Sequence, residues 1–370
     1  MSTSRRLLVA GGGTGGHILA GVAIADEWMR QHREAGITDA GNTDARVLFV
    51  GAEQGLEVRL VPKNGYPLET LKIGALNKVD LKTRLLTLLQ LPLSFLKALL
   101  ILVRFRPDAV IGVGGYASGP VVMLARMLSP LFGIRTAIIE QNSVAGFTNR
   151  LLGRFVHHVF CAFAGGTRQF SEKKVLVTGN PIRSHLKKLP PSIRDPFTLF
   201  VFGGSQGAMG INTLVLESLP FLKDQGIRII HQAGVKDYER VKAGYDRAGF
   251  PARIERFIDD MGSCYAEASL VVCRAGASSM TELASVGRAP VFIPLPTAAD
   301  NHQEVNARLF EKDHAAWVVP QGRLTGKEFA EFVTGLRSDP AKITEVETRI
   351  QKFYRADSAG VIVKTLRGLA

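Results

Sequence analysis

Leu7-Leu8-Val9-Ala10-Gly11-Gly12-Gly13-Thr14-Gly15-Gly16-His17 is the stretch on which the fold turns. Four apolar residues read as a buried strand, the glycines as a tight turn, and Ile18 to about Arg30 as an apolar-periodic helix. Glycines lack a Cβ, so the backbone can take φ > 0 and come close to a ligand, while the N–H groups at the helix start favour negative charge. The same strand–glycine–helix design returns at Val110-Ile111-Gly112-Val113-Gly114-Gly115-Tyr116, at Phe200 to Gly207 and at Val271 to Gly276, two occurrences in each half of the chain. Further strand signals at Arg46 to Val50, Ala137 to Glu140, Phe197 to Phe202 and Ile227 to Gln232 alternate with helical ones. This is the rhythm of an α/β protein with two Rossmann-like, doubly wound parallel-sheet domains, expected to face each other across a cleft.

The 370 residues suit two domains of ordinary size, and 46% apolar with 21% charged residues describes a globular chain. Lys and Arg number 46 against 33 Asp and Glu, a net charge of +13, which points to an anionic partner. No aromatic-interleaved basic run or zinc-finger spacing occurs, so nucleic acid is not the expected partner. Cys161, Cys264 and Cys273 form no C-x-x-C pair and are read as reduced, cytosolic thiols. Only four apolar residues follow Arg5-Arg6 before the glycines, too few for a signal peptide, and secretion is not expected.

Glu34 to Ala45 is polar, glycine-containing and aperiodic, the mark of a surface insertion. Thr178-Gly179-Asn180-Pro181-Ile182, followed by Leu189-Pro190-Pro191-Ser192, reads as the joint between halves. Leu85 to Val103 holds only Thr87, Gln90, Ser94 and Lys97 as polar residues. Three readings compete: a membrane span, two buried helices broken at Pro92, or an apolar surface rimmed by Lys72, Lys78, Lys82, Arg84, Arg104 and Arg106 that lies on an anionic leaflet.

Several polar groups fall where doubly wound sheets bind ligands, at the C-terminal ends of strands. Tyr116 and Ser118 sit on a turn that starts a helix, and Glu140-Gln141-Asn142 ends a strand. Phe202-Gly203-Gly204-Ser205-Gln206-Gly207-Ala208 is a phosphate-cradle candidate. Glu282 is either a ribose ligand or a capping-box residue three after Ser279, and Gln303 offers a donor and an acceptor to a sugar, whereas His302 reads as an exposed loop residue. Gly11, Gly13 and Gly16 also satisfy G-x-G-x-x-G, so a nicotinamide oxidoreductase competes. It lacks the acidic partner expected about twenty residues on, since the nearest, Glu53, comes much later.

Taken with Gly179 to Arg183, Phe257-Ile258-Asp259-Asp260-Met261 and Arg274 to Glu282, the loops at Gly11–His17, Gly114–Pro120, Glu140–Asn142 and Gly203–Ala208 closely resemble the MurG family of peptidoglycan N-acetylglucosaminyltransferases. Seven motifs in one order span nearly the whole chain. The resemblance implies a GT-B architecture, with residues 1–182 and a returning helix at 352–370 forming an acceptor and membrane-associating domain and residues 183–351 a UDP-sugar donor domain. It implies two substrates, UDP-N-acetylglucosamine and undecaprenyl-linked lipid I, the product lipid II, and peripheral attachment to anionic lipids on the cytoplasmic face of the inner membrane, among cell-wall and division proteins. Thr14, Gly15 and Gly16 would line the donor cleft and Asn142 would meet the transferred sugar. Arg183 and Ser205 would reach the diphosphate, Ile258 the uracil through its backbone, Ala277, Ser278, Ser279, Met280, Thr281 and Glu282 the diphosphate and ribose, and Gln303 the sugar hydroxyls. Ala20 in place of a proline, and Ser143 in place of a glycine, are departures that remove no polar contact.

The implied reaction is one displacement at the anomeric carbon, turning an α-linked donor into a β-1,4 product. No cofactor is implied, and with no D-x-D triplet in the chain no protein-bound metal is expected. His17 is the candidate base, with donation to the acceptor's diphosphate as its competing role; Tyr116 and Glu140 are the alternative bases. A UDP-sugar epimerase and a non-catalytic membrane-binding protein are the remaining rivals.

Overall fold

The computed structural model describes residues 6–34, 38–39, 42–43, 46–74, 81–182, 186, 188–192, 195–204 and 206–369. The chain divides into two compact units, Met1–Ser184 with Asp357–Ala370, and His185–Ala356.

The first unit carries seven parallel strands: β1 (Arg6–Gly11), β2 (Arg46–Ala52), β3 (Leu68–Leu71), β4 (Ala109–Gly114), β5 (Arg135–Glu140), β6 (His158–Cys161) and β7 (Val175–Val177). Their order is β3-β2-β1-β4-β5-β6-β7, so the chain reverses direction of travel at β1, and the loops after β1 and β4 are neighbours. Alternate residues of β1 feed opposite faces, as a strand's period of two requires. Leu7 and Val9 pack with Ile18, Val22 and Trp28 of α1 (Gly15–Glu34), while Leu8 and Ala10 pack with buried residues of the helices on the other face. Between β2 and β3 lies α2 (Glu57–Lys63). A short antiparallel pair, Thr38–Asp39 with Asn42–Thr43, occupies the polar insertion, whose other residues between 35 and 45 lie outside those described.

Leu81–Phe105 forms α3, a single helix that runs through Pro92 and is not broken there as one reading expected. Its inner stripe, Ser94, Ala98, Ile101 and Leu102, is buried, and the Ser94 hydroxyl donates to the Lys72 carbonyl at 2.7 Å. Leu93, Leu96, Leu100 and Val103 are exposed, Leu93 at 70%. Among the described residues no helix is long and apolar enough to cross a membrane. Helices α4 (Ser118–Phe132) and α5 (Phe147–Leu152) follow β4 and β5.

In the second unit six parallel strands, β8 (Phe197–Phe202), β9 (Ile227–Gln232), β10 (Arg253–Glu255), β11 (Leu270–Cys273), β12 (Pro290–Phe292) and β13 (Trp317–Val318), take the order β10-β9-β8-β11-β12-β13. The direction of travel again reverses beside the first strand. Around this sheet pack α6 (Met209–Leu222), α7 (Tyr238–Ala248), α8 (Met261–Glu267), α9 (Ala277–Val286), α10 (His302–Lys312), α11 (Gly326–Ser338) and α12 (Pro340–Ile350). The return to the first unit comes at Asp357 and not at 352, because the Phe353 ring stacks on Phe310 at 3.9 Å and keeps Gln351–Phe353 with the second sheet. Helix α13 (Ser358–Arg367) then buries Ile362, Val363 and Leu366 in the core under α1, and Ser358 Oγ donates to the Gly179 carbonyl at 2.9 Å.

A buried network in the second unit gives a measurable pH dependence. Asn212 Nδ2 donates to the Ala233 carbonyl and to Asp237, so its Oδ1 must accept from His231 Nε2 at 3.0 Å, while His231 Nδ1 accepts from the Tyr245 hydroxyl at 3.0 Å. Burial holds the His231 imidazole down at about 3, against a smaller upward pull from Asp237. Below about 6.5 the unfolded chain therefore takes up a proton that the folded chain refuses, so this stabilisation is present above that pH and is lost as pH falls towards 3. From this group alone the second unit is expected to be about 2 kcal/mol less stable at pH 5 than at pH 7. Urea unfolding of the wild type and His231→Gln across that range checks it: an unchanged slope in the variant would refute the assignment.

Candidate active site

The two glycine loops of the first unit interlock. Gly12 N–H donates to the Gly114 carbonyl at 3.0 Å, and a Cβ on Gly115 would stand 2.6 Å from the Gly12 carbonyl oxygen, so these positions admit only a bare backbone. Gly13 and Gly115 both have φ near +80°, a region costly for any residue with a Cβ. Helix α1 leaves this crossing with Thr14 exposed and His17 N–H 3.4 Å from the Thr14 hydroxyl. His17 Nδ1 lies 3.2 Å from the Gly12 carbonyl. A carbonyl only accepts, so Nδ1 carries the proton and Nε2 is the basic nitrogen of the neutral ring. Gly15 and Gly16 form the first turn of α1, and Tyr116 sits half-buried on the turn before α4.

Beside this crossing is a carboxylate that no sequence motif marks. Glu57, in the first turn of α2 and 1% exposed, accepts from Ala52 N–H at 2.7 Å and Gly13 N–H at 3.0 Å. One of the glycine-loop donors is thus already spent inside the protein.

At the end of β5, Glu140 is buried and fully engaged. Oε1 accepts from Asn142 N–H at 2.9 Å and Asn142 Nδ2 at 3.3 Å, and Oε2 from Asn149 Nδ2 at 2.9 Å and Gly146 N–H at 3.1 Å. A carboxylate holding four donors is poorly placed to take a proton from a substrate, and the geometry corrects its place among the candidate bases: Glu140 shapes the 141–146 loop and orients Asn142. Cys161, beside it on β6, has its thiol pushed up to about 12 by burial and by Glu140, so it stays protonated. All three cysteines are buried and unpaired.

In the second unit the loop after β8 presses on the loop after β9. A Cβ on Gly234 would lie 2.6 Å from the Gln206 carbonyl oxygen, and one on Gly207 would overlap the Ala233 carbonyl. Gln232, ending β9 and buried, donates to the Gly204 carbonyl at 2.8 Å and accepts from Ile258 N–H at 3.0 Å. The Ile258 amide is therefore occupied. Gln232 is a second residue that periodicity and motif spacing did not reveal. Arg183 and Ser205 lie outside the described residues.

Helix α9 starts at Ala277 with Gly276 as its cap and no side-chain cap bond. Ser279 is thus the third helical residue, which overturns the capping-box alternative for Glu282. Glu282 stands on the second turn, where Oε2 accepts from the Tyr265 hydroxyl at 2.9 Å. Ser278 and Ser279 are half-buried, whereas Met280 and Thr281 turn into the core and Thr281 Oγ1 donates to the Ala277 carbonyl at 2.9 Å. The first three N–H groups of α9 have no acceptor within the helix. Arg274 is buried and donates to the carbonyls of Ile293 and Pro294 and to Gln321 Oε1. Gln303 Oε1 accepts from Leu295 N–H at 3.0 Å, which turns its NH2 outward from that contact. His302 is the first residue of α10 and not a loop residue, with Nδ1 2.7 Å from the Ala299 carbonyl.

One sheet of the order 3-2-1-4-5-6-7 and one of the order 3-2-1-4-5-6, each with glycine loops and helix starts at the C-terminal ends of its central strands, define an α/β protein built of two Rossmann-like halves. The chain belongs to glycosyltransferase family 28, whose N-terminal domain matches residues 7–161 and whose C-terminal domain matches residues 198–359. It is 43% identical to the UDP-N-acetylglucosamine--N-acetylmuramyl-(pentapeptide) pyrophosphoryl-undecaprenol N-acetylglucosamine transferase of Syntrophus aciditrophicus, over 97% of each chain. The protein of the same name from Myxococcus xanthus is 45% identical over 96% of this chain and 90% of its own. The crystal structure of Acinetobacter baumannii MurG superposes with a TM-score of 0.75 at 30% identity, covering 98% of this chain and 99% of that one.

Proposed function

We propose that the protein moves N-acetylglucosamine from UDP-N-acetylglucosamine to the C4 hydroxyl of undecaprenyl-pyrophosphoryl-N-acetylmuramoyl-pentapeptide, lipid I, forming lipid II. The observation that carries this reading is the start of α9, where open N–H groups and a carboxylate fixed by Tyr265 share the first two turns. In a chain whose relatives bear the name of this reaction, that pairing suits a nucleoside diphosphate: backbone dipoles for the phosphates, a carboxylate for vicinal ribose hydroxyls.

In this reading each unit supplies part of the site. Ala277, Ser278 and Ser279 meet the diphosphate and stabilise the charge that departing UDP gains, with Glu282 on the ribose, the Ile258 carbonyl on uracil and the Gln303 NH2 on the sugar. Met280 and Thr281 hold the helix in place from its buried side. Arg183 and Ser205 supply further diphosphate contacts. His17, through Nε2, accepts the proton of the attacking hydroxyl, and Asn142, set by Glu140, meets the transferred sugar. The anomeric configuration inverts in a single displacement.

Attachment to the cytoplasmic face of the membrane belongs to the same proposal. The exposed residues Leu93, Leu96 and Leu100 of α3, Met127 and Leu131 of α4 and Leu151 of α5 form the apolar part, with Lys97 exposed among them for anionic lipid and Arg104, ion-paired with Glu69, beside them.

Labelled UDP-N-acetylglucosamine with a short-chain lipid I analogue should yield a disaccharide-lipid. Release of the sugar without acceptor transfer, or its epimerisation, would refute the transferase reading. Changing Leu93, Leu96 and Leu100 together to Ser should abolish co-sedimentation with anionic vesicles and leave the Kd for UDP unchanged; retained co-sedimentation would refute the membrane surface.

A further inference from the structure

The carboxylate of Glu57 sits in a seat made by three glycines. A Cβ on Gly12, on Gly51 or on Gly55 would overlap the Glu57 side chain, so each of these positions stays bare where Glu57 passes. The two donors it collects, Ala52 N–H at the end of β2 and Gly13 N–H in the loop after β1, come from adjacent parallel strands. Glu57 therefore ties the glycine loop to its neighbour strand from below. From above, the same loop is tied by Gly12 N–H to the Gly114 carbonyl. Between these two ties lies the Gly12 carbonyl, and that carbonyl is what orients the His17 ring through Nδ1.

We infer that Glu57 is a positioning residue for the transfer reaction, acting through the Gly12–Gly13 peptide on the aim of His17 Nε2. The inference rests on the proposed role of His17 as base. Glu57 touches no reacting atom. Its two acceptor oxygens hold two backbone donors, and both acceptors are needed: an amide in its place would turn an NH2 group towards one of the N–H donors. The loop would then shift, and the Gly12 carbonyl with it. Misplacing a reacting group by about 1 Å costs up to about 100-fold in rate.

Glu57→Gln tests this as one corner of a double-mutant cycle with His17→Ala, in the full chain with UDP-N-acetylglucosamine and a lipid I analogue. Glu57→Gln alone should lower kcat by about 10- to 100-fold. The Kd for UDP should stay within about two-fold, because the proposed nucleotide contacts, Arg183 apart, are on the other unit. In the His17→Ala background the same change should cost less than about two-fold, since a misaimed ring that is already absent cannot be misaimed further. Multiplicative losses in the double variant, or no loss in the single one, would overturn the inference. A His17→Ala variant of normal kcat would instead remove the premise, and that result reads out separately. Should Glu57→Gln melt below the assay temperature, Gly55→Ala gives the same cycle. It leaves the carboxylate in the chain but pushes it out of its seat, and must show the same loss and the same dependence on His17.

Discussion

Replacing His17 with Ala is expected to lower kcat by about 100-fold or more, the range that a general base contributes, while the Kd for UDP is unchanged. The argument starts from a tautomer. Because Nδ1 faces a carbonyl oxygen at 3.2 Å, the proton of the neutral ring resides there and Nε2 holds the lone pair. The ring is also held in orientation, since the carbonyl belongs to a loop crossed by a second loop and tied down by Glu57. A base so placed makes kcat rise with pH through one ionisation. His17→Ala should lose that limb of the pH profile, and His17→Asn, which retains a donor for the Gly12 carbonyl, should be as slow as His17→Ala. The competing role, donation to the acceptor's diphosphate, gives the opposite pattern: a raised KM for the lipid analogue and a rate that falls as pH rises. Seeing that pattern would move His17 from catalysis to acceptor binding.

The fold was legible because its signals are local. Leu7 to Ala10 and Leu199 to Phe202 are continuous apolar runs, as strands buried on both faces must be, and each ends in glycines whose backbone the next loop approaches closely. The glycine-rich C-terminal ends of both sheets could be found the same way. What the sequence did not disclose are the residues that hold those loops from behind. Glu57, Gln232 and Tyr265 act through one or two hydrogen bonds each, mostly to backbone or carboxylate groups far away in sequence, and nothing in periodicity or spacing separates such a side chain from any other polar residue near a turn. Glu140 illustrates the reverse error: an acidic residue at a strand end reads as chemistry until its four donors are seen. Pro92 was weighed as a helix break, yet α3 keeps its course because the inner stripe of Ser94, Ala98, Ile101 and Leu102 is held against the sheet on the far side of the proline.

Glu282→Ala should weaken UDP and UDP-N-acetylglucosamine binding by about 10- to 100-fold, the worth of hydrogen bonds to a charged group at about 1.5 to 3 kcal/mol. Glu282 is on the second turn of α9, clear of the cap, and the Tyr265 hydroxyl at 2.9 Å fixes its carboxylate in one rotamer. Tyr265 is itself fully buried against Phe200 and Phe202, so the orientation is set by the core of the unit and not by a mobile surface group. An oriented carboxylate can take both hydroxyls of a ribose, and the loss on truncation should be one of binding shared by ground and transition states, visible in KM for the donor more than in kcat. Tyr265→Phe, which leaves the carboxylate but releases it, should lose about 3- to 5-fold, near the net value of one hydrogen bond. The comparison that decides the role uses the nucleotide. Wild type should bind 2′,3′-dideoxyuridine diphosphate about 10- to 100-fold more weakly than UDP, and Glu282→Ala should bind the two alike. If the variant still prefers UDP by the wild-type margin, the ribose is held elsewhere and Glu282 only supports Tyr265.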